Sequence, residues 1–331
     1  MKFNLGTIQW RIALVGLICL ATACGCLEGP TAPNQDIFVW GRRGLDDGRF
    51  MKPRAITIDD QDRLYIVDKT ARVQVFDRDG TFLRGWRMPE FIQGKPCGLS
   101  ISQDGHLMVC DTHYFRVLFY TFEGELIEER TIGGVNGRGP GEFGFLTDAV
   151  QDSQGNIYVS EYGDYDRIQK FTPSGEYVYE WGEHGEEPGQ FQRPQGLAMD
   201  ANDHLWVADA SNGRIQIFDV SGNKPKLVRT WGKMGTKRGE LSYPYEIILD
   251  GEGHVYVCEF GNHRIQKFDL EGNSLGTWGS AGKESGQLHQ PWAMCWDSKR
   301  AIHVVDSYNN RVQRFPSSQL DDPVPSIANE K

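Results

Sequence analysis

Apolar and polar residues alternate with a period of two along almost the whole chain. Typical runs are Leu205-Trp206-Val207-Ala208-Asp209 and Arg214-Ile215-Gln216-Ile217-Phe218, and no stretch holds a helical period. The same course starts six times, at Pro53, Pro96, Leu146, Pro194, Pro244 and Pro291, at spacings of 43, 50, 48, 50 and 47 residues. An acidic residue closes the second run of each unit, at Asp68, Asp111, Glu161, Asp209, Glu259 and Asp306. An arginine opens the third, at Arg72, Arg116, Arg167, Arg214, Arg264 and Arg311. Fourth runs end on Trp-Gly at Trp181, Trp231 and Trp278, reversed at Gly85-Trp86. Four short strands repeated at this length make a propeller blade. The sixth unit stops after its third strand, whereas Ile37–Gly41 is a fourth strand, with Trp40, that has no unit of its own. The pattern predicts an all-β, six-bladed β-propeller of four-stranded blades over residues 37–316, closed by the N-terminal strand completing the last blade.

The turn before the third strand reads Asn262-His263-Arg264-Ile265, with Asn212-Gly213-Arg214-Ile215 and Asn309-Asn310-Arg311-Val312 close to it. These segments resemble the NHL-repeat family of six-bladed propellers. Blades one to three depart from that motif, with Thr70-Ala71, Tyr114-Phe115 and Tyr165-Asp166 in place of Asn-His. A residue present in every blade serves the blade, so the acidic–arginine pairs are read as structural, gripping loops and reaching between blades. The Trp-Gly steps are read as core anchors. The glycine-rich stretch Gly137–Gly141 joins two strands rather than a strand and a helix, which argues against a phosphate cradle.

Composition narrows the partners. The 331 residues carry 45 acidic and 35 basic side chains, a net charge of −10, with 39 Gly and 9 Trp. The balance excludes a multi-span membrane protein, a collagen-like fibre and a disordered chain. Excess negative charge argues against nucleic acid, and so against the RNA binding known among animal NHL propellers. Ile12–Ala21 is apolar but too short for a bilayer, which needs ~20 residues. With Ala21-Thr22-Ala23-Cys24 it resembles a bacterial lipoprotein signal. That likeness implies a signal peptide over 1–24, acylation of Cys24, a flexible tether over 25–36 and a membrane-anchored place in the cell envelope. Residues 317–331, rich in proline, are expected to be an unstructured tail.

Specific function must sit where blades differ. After each opening position stand Arg54, Cys97, Thr147, Gln195, Tyr245 and Trp292, then Ala55, Gly98, Asp148, Gly196, Glu246 and Ala293. They share one rim with His113, Tyr114, Phe115, Tyr162, Tyr165, Phe260, His263 and Tyr308. Arg54, Gln195, Tyr245, Glu246, Trp292 and Tyr308 are the expected contacts for a protein, peptide, glycan or small polar ligand. No residue is assigned a catalytic role. The competing expectation is a cation-dependent hydrolase or lyase with calcium held by Asp148 and Glu246 in the channel, as in the lactonase propellers this ring resembles in architecture. Peptide-amidating lyases of NHL type hold zinc with histidines beside the blade-opening proline, and those positions here hold no histidine. No other cofactor is expected. Cys97 and Cys110 lie on adjacent strands, close enough to bridge in an oxidising compartment.

Overall fold

The computed structural model describes residues 37–321. The expected signal and tether over 1–36, with Cys24, and the last ten residues lie outside the described residues. Six four-stranded antiparallel sheets follow one another. Blade one is Pro53–Ile58, Leu64–Asp68, Arg72–Phe76 and Phe82–Arg87. Blade four is Pro194–Met199, His204–Asp209, Arg214–Asp219 and Lys226–Trp231. Blade two is the least regular, its fourth strand reduced to Ile132–Gly133. Each inner strand touches the next, and that of blade six, Met294–Trp296, returns to that of blade one.

The closure is as the sequence predicts. Phe38–Trp40 pairs with Arg311–Pro316, with Phe38 opposite Arg314, Val39 opposite Gln313 and Trp40 opposite Val312. Side-chain bridges reinforce the seam: Arg78 meets Asp297 at 2.6 Å, and Arg314 meets Asp79 at 2.7 Å. Ser298 adds hydrogen bonds to Asp62 from its main-chain N–H and its hydroxyl. With its last sheet complete, the ring leaves no blade short of a strand.

Middle strands are buried on both faces, as in Leu64–Asp68, whereas outer strands such as Phe82–Arg87 alternate half-buried and exposed. The tryptophans ending the outer strands pack across blades. Trp40 lies on Gly80 of blade one, Trp86 on Gly124 of blade two and Trp231 on Gly272 of blade five. Each glycine has positive φ and no room for a Cβ, so the tight turn and the indole face fit only together.

One expectation needs correction. The tail does not begin unstructured, because Ser317–Leu320 forms a 3-10 turn with Leu320 buried. The turn crosses the outer strand of blade five at Gly276, where a Cβ would collide with the Leu320 carbonyl, and Gln319 accepts a hydrogen bond from Trp278 at 2.9 Å. An apolar anchor and a glycine seat outweigh the surrounding serines and prolines. Cys97, Cys110, Cys258 and Cys295 are all free thiols. No helix among the described residues is long and apolar enough to cross a membrane.

Candidate functional site

The repeated polar side chains hold the ring. In blade four Arg214 bonds Asp209 at 2.7 Å and donates to the carbonyls of Glu186, Glu187 and Gln190, clamping the connection from blade three. Arg264 and Arg311 repeat the pattern on their own preceding loops. Asn212, Asn262 and Asn309 each bond the blade's acidic residue and one loop carbonyl. The position after that asparagine reaches the next blade. His263 accepts the main-chain N–H of Gln290 and Asn310 that of Lys52, both at 2.9 Å. In blade three Asp166 does the same for Arg193 at 3.1 Å, so this departure from Asn-His keeps the contact with a different acceptor.

The residue before each blade-opening proline lies in the left-handed region, and those contacts hold three of the five, Lys52, Arg193 and Gln290. Lys52 has φ 50°, Lys95 70°, Arg193 57°, Tyr243 47° and Gln290 50°. Such conformations are strained for residues with a Cβ and persist because the surroundings hold them. Immediately after the blade-opening residue, β-bulges leave Arg54, Thr147 and Tyr245 outside regular pairing.

The combined effect is a necklace of side chains over the channel mouth. The Arg193 guanidinium stacks 4.8 Å from the Tyr162 ring and 5.8 Å from Tyr245. Tyr245 meets Trp292 edge-on at 5.0 Å, and Arg54 lies 4.7 Å from Trp292. Arg54 then donates to the Cys97 thiol at 3.3 Å and to the Lys95 carbonyl at 3.2 Å. Phe260 stacks on Tyr245 at 4.4 Å and leads to the exposed Tyr308, whose ring lies 3.8 Å from the Lys52 ammonium. Burial pushes the Tyr245 phenol up to about 12, against the opposing pull of Arg193. Burial also lowers the pKa of His113, helped by the charges of Lys95 and Arg54.

The expected contact residues divide. Arg54 and Trp292 are half-buried and Tyr308 is exposed, all three in the necklace. Gln195 and Tyr245 are 3% and 5% exposed, so they build the floor of the mouth rather than its surface. Glu246 lies one level deeper with Asp148. Arg193 is absent from the expected set, and its signal was the run of basic residues at Lys52, Lys95 and Arg193 before the prolines.

Below the floor the channel widens into a cavity of about 340 Å³ lined by Ile56, Leu99, Asp148, Leu197, Glu246 and Met294, among others. Asp148 accepts the N–H groups of Ala149 and Leu197, both at 2.9 Å, and so ties blade three to blade four. Burial raises its carboxyl to about 7 despite these donors. Glu246 accepts from Ile247 at 3.0 Å and is pushed well up by burial and then by Asp148. Three of the four carboxylate oxygens thus already hold main-chain donors. No group of three or more His, Cys, Asp or Glu that could hold a metal occurs among the described residues. The donor set fits a calcium ion poorly.

Comparison with known proteins agrees with this geometry. The NHL repeat model matches residues 191–218 and 247–268. Peptidylglycine alpha-amidating monooxygenase of Rattus norvegicus is 31% identical over 191 residues, covering 54% of this chain and 18% of that protein. NHL repeat-containing protein 3 of Mus musculus is 28% identical over 163 residues, 46% of each chain. The chain therefore matches less than half of either relative's own length. Virginiamycin B lyase from Staphylococcus aureus superposes with a TM-score of 0.57 at 14% identity, over 82% of this chain and 97% of that one, a likeness of fold alone. By repeat, topology and closure, this chain is a six-bladed β-propeller carrying NHL repeats.

Proposed function

We propose that the protein is a non-enzymatic binding module, exported to a bacterial cell envelope and tethered through acylated Cys24, that docks a partner on its channel mouth. One observation supports this reading above the rest. Side chains that differ from blade to blade, Trp292, Phe260, Tyr308 and Arg54, gather on this rim, while the repeated polar residues are consumed by the ring. Aromatic faces beside cations suit recognition of a ligand with an apolar body and polar groups.

Trp292→Ala combined with Tyr308→Ala tests the docking surface, read by crosslinking and capture from envelope extracts. Loss of the captured partner with an intact melting transition is expected, and undiminished capture sinks the surface assignment. The address is read separately. Cys24→Ala should abolish incorporation of labelled fatty acid and release the protein from the membrane fraction, and unchanged labelling refutes the anchor.

A further inference from the structure

The strongest unexplained feature of the molecule is the charge at the mouth. The blade arginines all pair with carboxylates, yet four cations on the mouth rim do not. Lys52, Arg54, Lys95 and Arg193 have no carboxylate within ion-pair distance among the described residues, in a protein whose net charge is −10. Asp166 takes the main-chain N–H of Arg193, not its guanidinium, and lies 2.5 Å from His184 Nδ1. Arg193 donates no side-chain hydrogen bond among the described residues, and its Nε is buried without a partner. The Nε of Arg54 is likewise buried and unpartnered. Placing charged donors without acceptors is costly, and here three of the four cations also sit at or beside strained left-handed positions.

Aromatic rings hold the two guanidiniums by their faces. Arg193 lies against Tyr162 and Tyr245, which leaves its two Nη groups to meet a ligand, and Arg54 lies against Trp292 with Nη1 on the Lys95 carbonyl and the Cys97 thiol, which leaves its Nη2. The Tyr245 ring lies 5.8 Å from the Arg193 guanidinium and 5.0 Å from Trp292, which in turn lies 4.7 Å from Arg54, so the two arginines stand around one opening. A planar guanidinium edge matches a planar two-oxygen acceptor, and flat rings beside it match a flat or apolar body. We infer that the mouth is a receptor site for a small organic carboxylate, its anionic end between Arg54 and Arg193 and its body against Trp292 and Tyr308. The inference rests on the mouth being the docking site and names the chemistry it takes.

Cys97 supplies a reporter that requires no knowledge of the natural ligand. It is the half-exposed thiol of the described residues, in contact with Arg54, whereas Cys110, Cys258 and Cys295 are buried. Iodoacetate and iodoacetamide both alkylate a thiolate by displacing iodide, but only the first carries a carboxylate. The ratio of their rates cancels any change in thiol reactivity and reads the anion affinity of the site. In the full-length protein, peptide mapping at Cys97 should give an iodoacetate-to-iodoacetamide ratio about tenfold above that of the unfolded chain. Arg54→Gln with Arg193→Gln should return it to the unfolded value. As a check needing no variant, 0.5 M sodium chloride should reduce the wild-type ratio severalfold. Benzoate should slow Cys97 alkylation, and inorganic phosphate at equal ionic strength should not. A wild-type ratio equal to the unfolded value overturns the site. Protection by phosphate alone, or by neither anion, overturns the carboxylate assignment. Either failure leaves the partner-capture test intact, because that test reads the aromatic rim and this one reads charge.

Discussion

At the scale of single residues, glycines and buried carboxyls carry the sharpest consequences. Gly272 and Gly239 both have positive φ, at 89° and 80°. A Cβ on Gly272 would stand 2.6 Å from the Trp231 indole, whereas nothing lies within 4 Å of one on Gly239. Alanine strains the backbone at both sites, so their difference isolates the indole contact. Gly239→Ala should cost about 1 kcal/mol, and Gly272→Ala about 2 kcal/mol more, in urea unfolding. The channel carboxyls work through pH. A carboxyl whose folded pKa lies above its unfolded value keeps a proton that the unfolded chain has lost, so its contribution to stability falls as pH rises through that interval. For Asp148 the interval runs from about 3.9 to about 7, and Glu246 acts in the same direction. Glu246→Gln retains an acceptor for Ile247 and removes the charge. Its melting temperature should exceed wild type by at least about 2 °C at pH 8, and the two should converge near pH 4. Parallel curves would refute the assignment of that slope to Glu246.

At the scale of elements, the unit of stability is a blade plus the connection leading into it. Arg264 joins Glu259 to three carbonyls of the preceding connection, and Glu259 is fully buried. Arg264→Met leaves that carboxylate with only Gln266, Asn262 and a main-chain N–H, and should cost about 3 kcal/mol by chemical denaturation. The connection around residues 233–241 should become the first site of limited proteolysis. Blade count, strand order and the role of the acidic–arginine pairs were legible in the sequence because each is written six times. Site details were not. Position after the proline names a residue but not its direction: Arg54 and Tyr245 sit at the same bulge, yet Tyr245 is buried in the floor while Arg54 and Trp292 stay half-buried at the rim. Arg193 escaped notice because a residue before proline ordinarily runs extended, and here it is held left-handed by Asp166. The 3-10 turn at Ser317–Leu320 depends on one leucine meeting Gly276 from a different blade, which no local pattern announces.

At the scale of the molecule, the ring is only as sound as its seam. Removing residues through Gly41 strips the Trp40 indole from Gly80 and exposes the Arg311–Pro316 edge. Such a truncation should melt well below the full chain and associate in a concentration-dependent manner, as read by light scattering. A monomer with an unaltered transition would show that the first strand adds nothing to closure. The seam also imposes an order of events during synthesis. Phe38–Trp40 leaves the ribosome long before its partner Arg311–Pro316 exists, so the ribbon that completes the circle must wait, unpaired, until all the other strands of the ring have emerged. Five sheets can assemble progressively from their own neighbours, but the sixth cannot. Maturation is thereby gated by the emergence of Arg311–Pro316, and a nascent chain cut short before Arg311 has no way to shut the circle.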